Sequence, residues 1–165
     1  MQAAPIPAND PQRLAALRAL LILDTPPEQR FDRLIAFAAD EFDVPIALLS
    51  LVDRDRQWFK SKIGLEACET GREPSFCGHA ILADTTLLIC DTLLDPRFED
   101  NPMVIGPPFI RFYAGAPLQI EPGLRIGTLC LIDIKPRSFD ATDLAILSTL
   151  RDLVQEELRC PAAER

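Results

Sequence analysis

The sequence predicts an α+β domain in which an antiparallel sheet carries helices on one face and a long, loop-rich roof on the other. Apolar residues at helical spacing occur near both ends of the chain, and apolar runs typical of β-strands lie between them. These runs form two pairs, and a proline-rich stretch separates the first pair from the second. Runs joined by short turns form hairpins, which make the sheet antiparallel. A sheet roofed by ordered loops leaves a cavity, and we expect a small molecule to bind there.

Two helices are predicted before residue 45 and one after residue 138. Asp10 followed by proline is a helix-start signal, and leucines at helical spacing carry this helix to near Asp24. Residues 25–28 (TPPE) match a capping box and predict the start of the second helix. Ser138 or Asp140 is predicted to cap the last one. The apolar stripes of the second and last helices are Phe31, Leu34, Ile35, Ala38 and Phe42, and Leu144, Leu147, Leu150, Val154 and Leu158.

Two hairpins are predicted in the middle of the chain. Residues 46–52 are almost continuously apolar, as in a central strand covered on both faces. Residues 57–63 then alternate, which places Phe59 and Ile63 on one face and Trp58, Lys60 and Lys62 on the other. Residues 112–118 and 125–132 pair through a Pro-Gly turn. A glycine at 127 predicts that something approaches this last strand closely.

The stretch between these hairpins has little regular pattern. Ser75 is predicted to cap a helical turn over residues 76–82, and residues 87–90 form one short strand. Long ordered loops within a compact domain usually carry function. We therefore expect the working part of the molecule to lie between Trp58 and Tyr113.

Composition excludes several classes of function. A net charge of −8 repels phosphate backbones, so neither nucleic acid nor anionic membrane is an expected partner. No apolar run is long enough to span a bilayer and no secretory signal is evident, which predicts a cytoplasmic location. His79 is the single histidine, and no metal site is expected. We predict one folded domain over residues 10–160, with flexible residues at 1–9 and 161–165.

Six motifs connect the chain to a known family. ILDTPPE at 22–28, RQWF at 56–59, SFCGHAI at 75–81, DPRF at 95–98 with NP at 101–102, IRFYAG at 110–115 and GTLC at 127–130 with ID at 132–133 occur in this order. Together they resemble bacterial GAF sensor domains, which occur alone or ahead of histidine kinase and diguanylate cyclase modules. The resemblance runs from about Asp10 to Leu158. It implies a six-stranded antiparallel sheet backed by helices, a pocket on the opposite face and a homodimer through the terminal helices.

Three GAF activities can be compared with these residues. Bilin-binding members attach the chromophore through a cysteine directly followed by histidine, whereas Gly78 separates Cys77 from His79 here. The signature of cyclic-nucleotide-binding members has no match, so bilin and cyclic nucleotide are both disfavoured. Free methionine sulfoxide reductases carry a Cys-Gly-x-Ala turn to which residues 77–80 are similar. Their second redox cysteine has no counterpart in residues 91–113, and Cys90 or Cys68 would have to replace it.

The candidate site residues come from the same stretch, and several have two interpretations. Cys77 is either a thiolate near a helix N-terminus or a buried structural thiol. His79 either contacts a ligand or ties roof to sheet, and Arg111 either clamps an anion or pairs with Asp91 or Asp95. The aromatic residues either line a pocket or fill it. The predicted ligand-binding residues are Trp58, Phe76, Cys77, His79, Asp91, Phe98, Phe109, Arg111 and Tyr113.

The sequence therefore predicts a sensory or regulatory domain that binds a small molecule or a partner protein in bacterial signal transduction. It is predicted not to be an enzyme, and its output is expected to reside in another protein. Two alternatives stay open. One is a thiol-dependent reductase of the free methionine sulfoxide type that uses Cys77 with Cys90 or Cys68. The other is a dimerisation module without a ligand.

Overall fold

Six strands form a single antiparallel sheet in the computed structural model, which describes residues 1–161. The strands are β1 (Ile46–Val52), β2 (Arg56–Ile63), β3 (Glu69–Gly71), β4 (Leu87–Ile89), β5 (Phe112–Glu121) and β6 (Leu124–Asp133). Their spatial order is β3-β2-β1-β6-β5-β4. The sheet confirms the predicted fold class, and β1 and β6 at its centre separate two apolar cores.

Helices cover one face of the sheet, and short elements with loops form the roof on the other. The helices are α1 (Asp10–Ala19), α2 (Gln29–Phe42), α3 (Phe76–Ala80), α4 (Pro102–Ile105) and α5 (Ala141–Arg159). The first core lies between the sheet and α1, α2 and α5, and the second lies between the sheet and α3, α4 and the roof loops. No helix in the described residues combines the length and apolarity that crossing a membrane requires.

The central strands follow the predicted pattern. Every residue of β1 is buried, as expected of a strand covered on both faces. Gly127 lies beside β1 so closely that a Cβ atom there would stand 2.0 Å from the carbonyl oxygen of Ser50. The close approach predicted at Gly127 is therefore confirmed, and the approaching group is the neighbouring backbone.

A β-bulge in β2 corrects the predicted alternation of that strand. Leu49 pairs with Ser61 and Ser50 pairs with Phe59, so Lys60 is an extra residue in β2. For the residues of β2 after the bulge, the extra residue exchanges the side chains that point to one face of the sheet with those that point to the other. Ile63 consequently packs in the helix-side core with Trp58, and not beside Phe59 as predicted.

The segment before α2 also differs from the prediction. The helix begins at Gln29 and its N-cap, Glu28, makes no side-chain capping bond, so the predicted capping box at 25–28 is wrong. The buried Lys60 ammonium instead holds this segment in an extended form. It donates to Thr25 Oγ1 at 2.7 Å and to the Pro26 carbonyl at 2.6 Å, and lies 2.8 Å from Glu28 Oε2.

Two other predicted caps are confirmed. Ser75 Oγ accepts from the Gly78 amide at 3.0 Å and starts α3. Asp140 and Asp143 form a reciprocal capping box at the start of α5. The first helix, α1, ends at Ala19 and is therefore shorter than the predicted helix, which ended near Asp24.

Residues 1–9, predicted to be flexible, lie along the roof. The Gln2 amide donates to the Arg97 carbonyl at 3.4 Å, and the Ala4 amide donates to the Glu73 carbonyl at 3.3 Å. Of the predicted C-terminal tail, residues 162–165 lie outside the described part of the chain.

Candidate ligand cavity and buried thiols

A cavity of about 210 Å³ lies between the sheet and the roof. Alternate residues of the four longer strands form its floor, since side chains two positions apart share one face of a strand. Its lining is mainly apolar and consists of Ile46, Leu48, Gln57, Phe59, Leu65, Ala67, Thr70, Phe76, Cys77, Met103, Pro107, Pro108, Ile110, Tyr113 and Ile132.

Hydrogen bonds hold the roof in place over the cavity. Asn101 caps α4 by accepting from the Met103 amide at 2.9 Å, and its Nδ2 donates to the Pro74 carbonyl at 2.9 Å. Thr92 Oγ1 donates to the Ile110 carbonyl at 2.7 Å. The roof is thus joined both to the segment before α3 and to the segment that enters β5.

A chain of polar side chains crosses the floor. Thr70 Oγ1 accepts from Gln57 Nε2 at 2.6 Å, and Gln57 Oε1 accepts from Ser50 Oγ at 3.0 Å. Ser50 in turn lies beside Cys77. Because Gln57, Ser50 and Cys77 are all buried, these bonds compensate the loss of solvent around each polar group.

Cys77 lies at the end of this chain and accepts two hydrogen bonds. Tyr113 Oη donates to its sulfur at 3.2 Å and Thr128 Oγ1 donates at 3.1 Å. Burial raises the pKa of Cys77, but polar interactions with Cys130, Ser50, Thr128 and Tyr113 outweigh it and lower the pKa to about 6. Donors aimed at the sulfur favour the thiolate form.

Tyr113 can donate to Cys77 because its ring has room and its hydroxyl stays protonated. Gly115 leaves room for the Tyr113 ring, because a Cβ atom at residue 115 would stand 2.3 Å from Tyr113 Oη. Burial and the neighbouring Cys77 charge raise the pKa of Tyr113 well above its ordinary value, so its hydroxyl keeps its proton. Burial, the hydrogen bond that Cys130 donates to Cys77 and the Cys77 charge likewise raise the pKa of Cys130.

The family comparison agrees with this architecture. The family model described as GAF domain matches residues 26–158. This chain is a GAF domain. The predicted resemblance to bacterial GAF sensor domains is confirmed, and the cavity lies on the face of the sheet where that resemblance implied a pocket.

One curated relative matches most of the GAF domain described above. Cyclic di-GMP phosphodiesterase PA2567 of Pseudomonas aeruginosa is 42% identical over 159 residues, which are 96% of this chain and 27% of the relative. This chain thus spans about a quarter of the length of that relative.

Solved structures share the fold at low sequence identity. Free methionine-R-sulfoxide reductase from Neisseria meningitidis, in complex with its substrate, superposes with a TM-score of 0.67 and 20% identity over 100% of both chains. The GAF domain of a phosphoenolpyruvate-protein phosphotransferase from Coxiella burnetii has a TM-score of 0.66 and 16% identity, covering 95% of this chain and 99% of that one.

Three of the predicted ligand-binding residues, Phe76, Cys77 and Tyr113, line the cavity of this GAF domain. Phe98 is buried behind them and stacks on Phe76 with ring centroids 4.3 Å apart, so this aromatic residue fills the roof core. Trp58 lies on the opposite face of the sheet, in the helix-side core, because strand alternation turns it away from Phe59.

The remaining predicted site residues hold the roof together or face outward. Arg111 pairs with Asp91 at 3.2 Å, which is the structural alternative considered for this arginine. His79 Nε2 lies 3.2 Å from the Gln2 carbonyl and its ring packs edge-on against Phe98; burial lowers its pKa. Phe109 is 53% exposed.

Sequence reasoning missed the polar floor and the second buried thiol. Thr128 and Cys130 are two positions apart on β6 and therefore share a face with Ile132, which alternation along the strand would have indicated. Their meeting with Cys77 depends on how α3 packs over the sheet. Within residues 1–161 no group of three or more histidine, cysteine or acidic side chains is arranged to hold a metal ion.

Proposed function

We propose that this GAF domain is a sensory domain that binds a small, uncharged and largely apolar molecule between the sheet and the roof. The cavity carries this proposal. In the described residues its lining contains no Lys, Arg, Asp or Glu side chain, and Gln57, Thr70, Cys77 and Tyr113 are its polar members. An anion placed there would lose its hydration without a counter-charge and would meet the Cys77 thiolate, and a cation would meet no carboxylate, whereas an apolar molecule would gain from burial.

The size of the cavity limits the ligand further. Pockets for drug-sized ligands typically measure about 300–1,000 Å³, and this one measures about 210 Å³. The cavity therefore suits a molecule smaller than a typical drug, and it offers phosphate groups no cationic partner.

A signal from the cavity has a direct route to the N-terminal segment. Phe76 and Cys77 of α3 line the cavity, while His79 of the same helix contacts the Gln2 carbonyl. Gly78 also lies against the N-terminal segment, because a Cβ atom there would stand 2.7 Å from the Ala4 Cβ. A ligand that binds one position of α3 better than another shifts this segment, since only differential affinity moves a conformational equilibrium.

Output and assembly belong to the same proposal. The relative in Pseudomonas aeruginosa is named a cyclic di-GMP phosphodiesterase, which supports a regulatory role for this domain in bacterial signal transduction. We place the output outside the GAF fold.

The exposed apolar side chains Phe37 of α2 and Leu153 of α5 lie along one groove, and a homodimer through the terminal helices would cover it.

Binding can be tested with indole, a small apolar probe with one hydrogen-bond donor. We expect indole to raise the thermal unfolding midpoint of the wild-type chain in a saturable way, because a ligand that binds only the folded state stabilises it by mass action. Ala67→Trp, at the exposed rim of the cavity, should abolish the shift. The matched control is Ala83→Trp at another exposed position, which should keep it.

The same measurement distinguishes a sensor from a dimerisation module without a ligand. If indole produces no saturable shift, or if both tryptophan variants respond alike, the cavity is not a binding site. Native mass spectrometry of freshly purified protein then shows directly whether a small molecule accompanies the chain.

A thiol-dependent reductase is the second candidate, and the position of Cys77 at the cavity favours it. Its predicted partners do not meet it there, because Cys90 and Cys68 are both exposed. Cys68 lies in a groove with Trp58 beside α2, on the opposite face of the sheet.

We therefore expect no reduction of free methionine sulfoxide when the chain is supplied with dithiothreitol. The assay follows the formation of methionine by chromatography, with Cys77→Ser as the matched control. Turnover that disappears in Cys77→Ser would establish the reductase and overturn the sensor proposal.

A further inference from the structure

Two thiols lie together beneath the cavity on different elements of the fold. Cys77 belongs to the first turn of α3 and Cys130 to β6; both are buried in the same roof-side core, and Thr128, two residues before Cys130 on β6, donates to the Cys77 sulfur at 3.1 Å. Cys77 also lines the cavity, so a small solute that enters the cavity reaches one member of the pair. The other three cysteines, Cys68, Cys90 and Cys160, are exposed.

We propose that Cys77 and Cys130 form a peroxide-sensitive dithiol, which a small hydroperoxide entering the cavity oxidises to a disulfide. The proposal rests on the proposed function only for access through the same cavity. The oxidation does not require a reversibly bound ligand. We assign the Cys77–Cys130 pair to sensing and not to catalytic turnover.

The reaction balances in two steps. The Cys77 thiolate attacks one peroxide oxygen, the O–O bond breaks, and the departing alkoxide or hydroxide takes up a proton, which leaves a sulfenic acid on Cys77. Cys130 then attacks the Cys77 sulfur, the S–O bond breaks, and the oxygen leaves as water with the proton of Cys130. In total the two thiols lose two electrons. An organic hydroperoxide is reduced to an alcohol and one water, and hydrogen peroxide is reduced to two waters.

The surroundings of the two thiols give them different roles in the reaction. Cys77 accepts from Tyr113 Oη and Thr128 Oγ1, which stabilise negative charge on its sulfur and make it the attacking thiol. Cys130 keeps its proton, because burial, the hydrogen bond that it donates to Cys77 and the Cys77 charge raise its pKa. It is therefore suited to the second step, in which its proton leaves with the water.

Oxidation would change the roof as well as the thiols. A disulfide removes the charge that Tyr113 and Thr128 stabilise and constrains α3 against β6. Because α3 also contacts Gln2 and Ala4, the change reaches the N-terminal segment by the same route as a bound ligand.

The test uses a variant in which the exposed cysteines are replaced, Cys68→Ser/Cys90→Ser/Cys160→Ser, so that the buried pair alone remains. The folded protein is treated with hydrogen peroxide, denatured in an alkylating agent and mapped by mass spectrometry. We expect both free thiols to be lost, a linked Cys77–Cys130 peptide to appear, and dithiothreitol to restore the thiols. Adding Cys130→Ser should stop the reaction at a sulfenic acid on Cys77 that dimedone traps.

Three results would overturn the proposal. The first is that both thiols survive in the folded protein while the urea-unfolded protein oxidises. The second is oxidation of Cys77 beyond sulfenic acid with Cys130 unchanged. The third is equal oxidation rates in Ala67→Trp and Ala83→Trp, which would exclude the cavity as the route. Indole binding, measured in parallel on the Cys130→Ser variant, shows separately whether the proposed ligand function holds.

Discussion

Gly127→Ala is expected to destabilise this domain strongly. A Cβ atom at residue 127 would stand 2.0 Å from the Ser50 carbonyl oxygen and 2.9 Å from the Leu51 Cα, and both atoms belong to the backbone of β1. No side-chain rotation relieves such a contact, so the two central strands must separate locally. Overpacking of a core typically costs about 1–3 kcal/mol, and we expect a loss at or above the upper end of that range.

Chemical denaturation followed by circular dichroism measures this loss. The matched control is Gly71→Ala at the end of β3, where the nearest atom to a new Cβ is a Pro74 carbon at an ordinary 3.4 Å. We expect a change within about 0.5 kcal/mol there. Equal stability of the two variants would show that β1 and β6 do not pack as closely as described.

Gly127 also illustrates what the sequence can predict. A glycine within an alternating strand indicates a close approach, because the missing side chain is a local property that can be seen in one segment. The same holds for the Ser75 cap of α3 and for the apolar run of β1. Each of these predictions depends on neighbours a few residues apart, and each is confirmed.

Other features depend on partners that are distant in sequence. The bulge at Lys60 arises from pairing between β1 and β2, and it reverses the parity on which the prediction for Ile63 relied. Thr25 looked like a helix cap, but the Lys60 ammonium, 35 residues away, binds it. Cys130 was not predicted as a neighbour of Cys77 because α3 packing over β6 brings them together. Single-segment patterns contain no information about these contacts.

The other large effect is expected at Asp10, which lies between two buried arginines. Its Oδ1 accepts from Arg13 Nε at 2.7 Å, and Arg72 binds both carboxylate oxygens, at 2.8 and 3.0 Å. Arg13 Nη1 also donates to the Val52 carbonyl at 2.6 Å. The carboxylate thus joins α1 to the end of β1 and to the segment after β3.

Asp10→Ala is expected to destabilise the domain by about 3–5 kcal/mol, the usual cost of removing one partner from a buried ion pair. The two guanidinium groups would then face each other in the interior, with the carboxylate of Asp53 as the remaining counter-charge to Arg13. The matched control is Asp84→Ala, whose exposed carboxylate pairs with Arg125 and should contribute less than about 1 kcal/mol. Urea unfolding at neutral pH measures both, and similar values would contradict a buried network.

The pH dependence of Asp10→Asn separates the charge of Asp10 from its packing. Burial raises the pKa of Asp10, but hydrogen bonds and charges from Arg72 and Arg13 outweigh it, so the pKa lies below its ordinary value of 3.8. A carboxyl with a depressed pKa stabilises the fold above its unfolded pKa and loses that contribution as the pH falls through the folded value. The stability difference between wild type and Asp10→Asn should therefore be constant above about pH 5 and shrink below the ordinary pKa. A difference that stays constant into acid would mean that the carboxylate charge is not what holds Arg13 and Arg72 together.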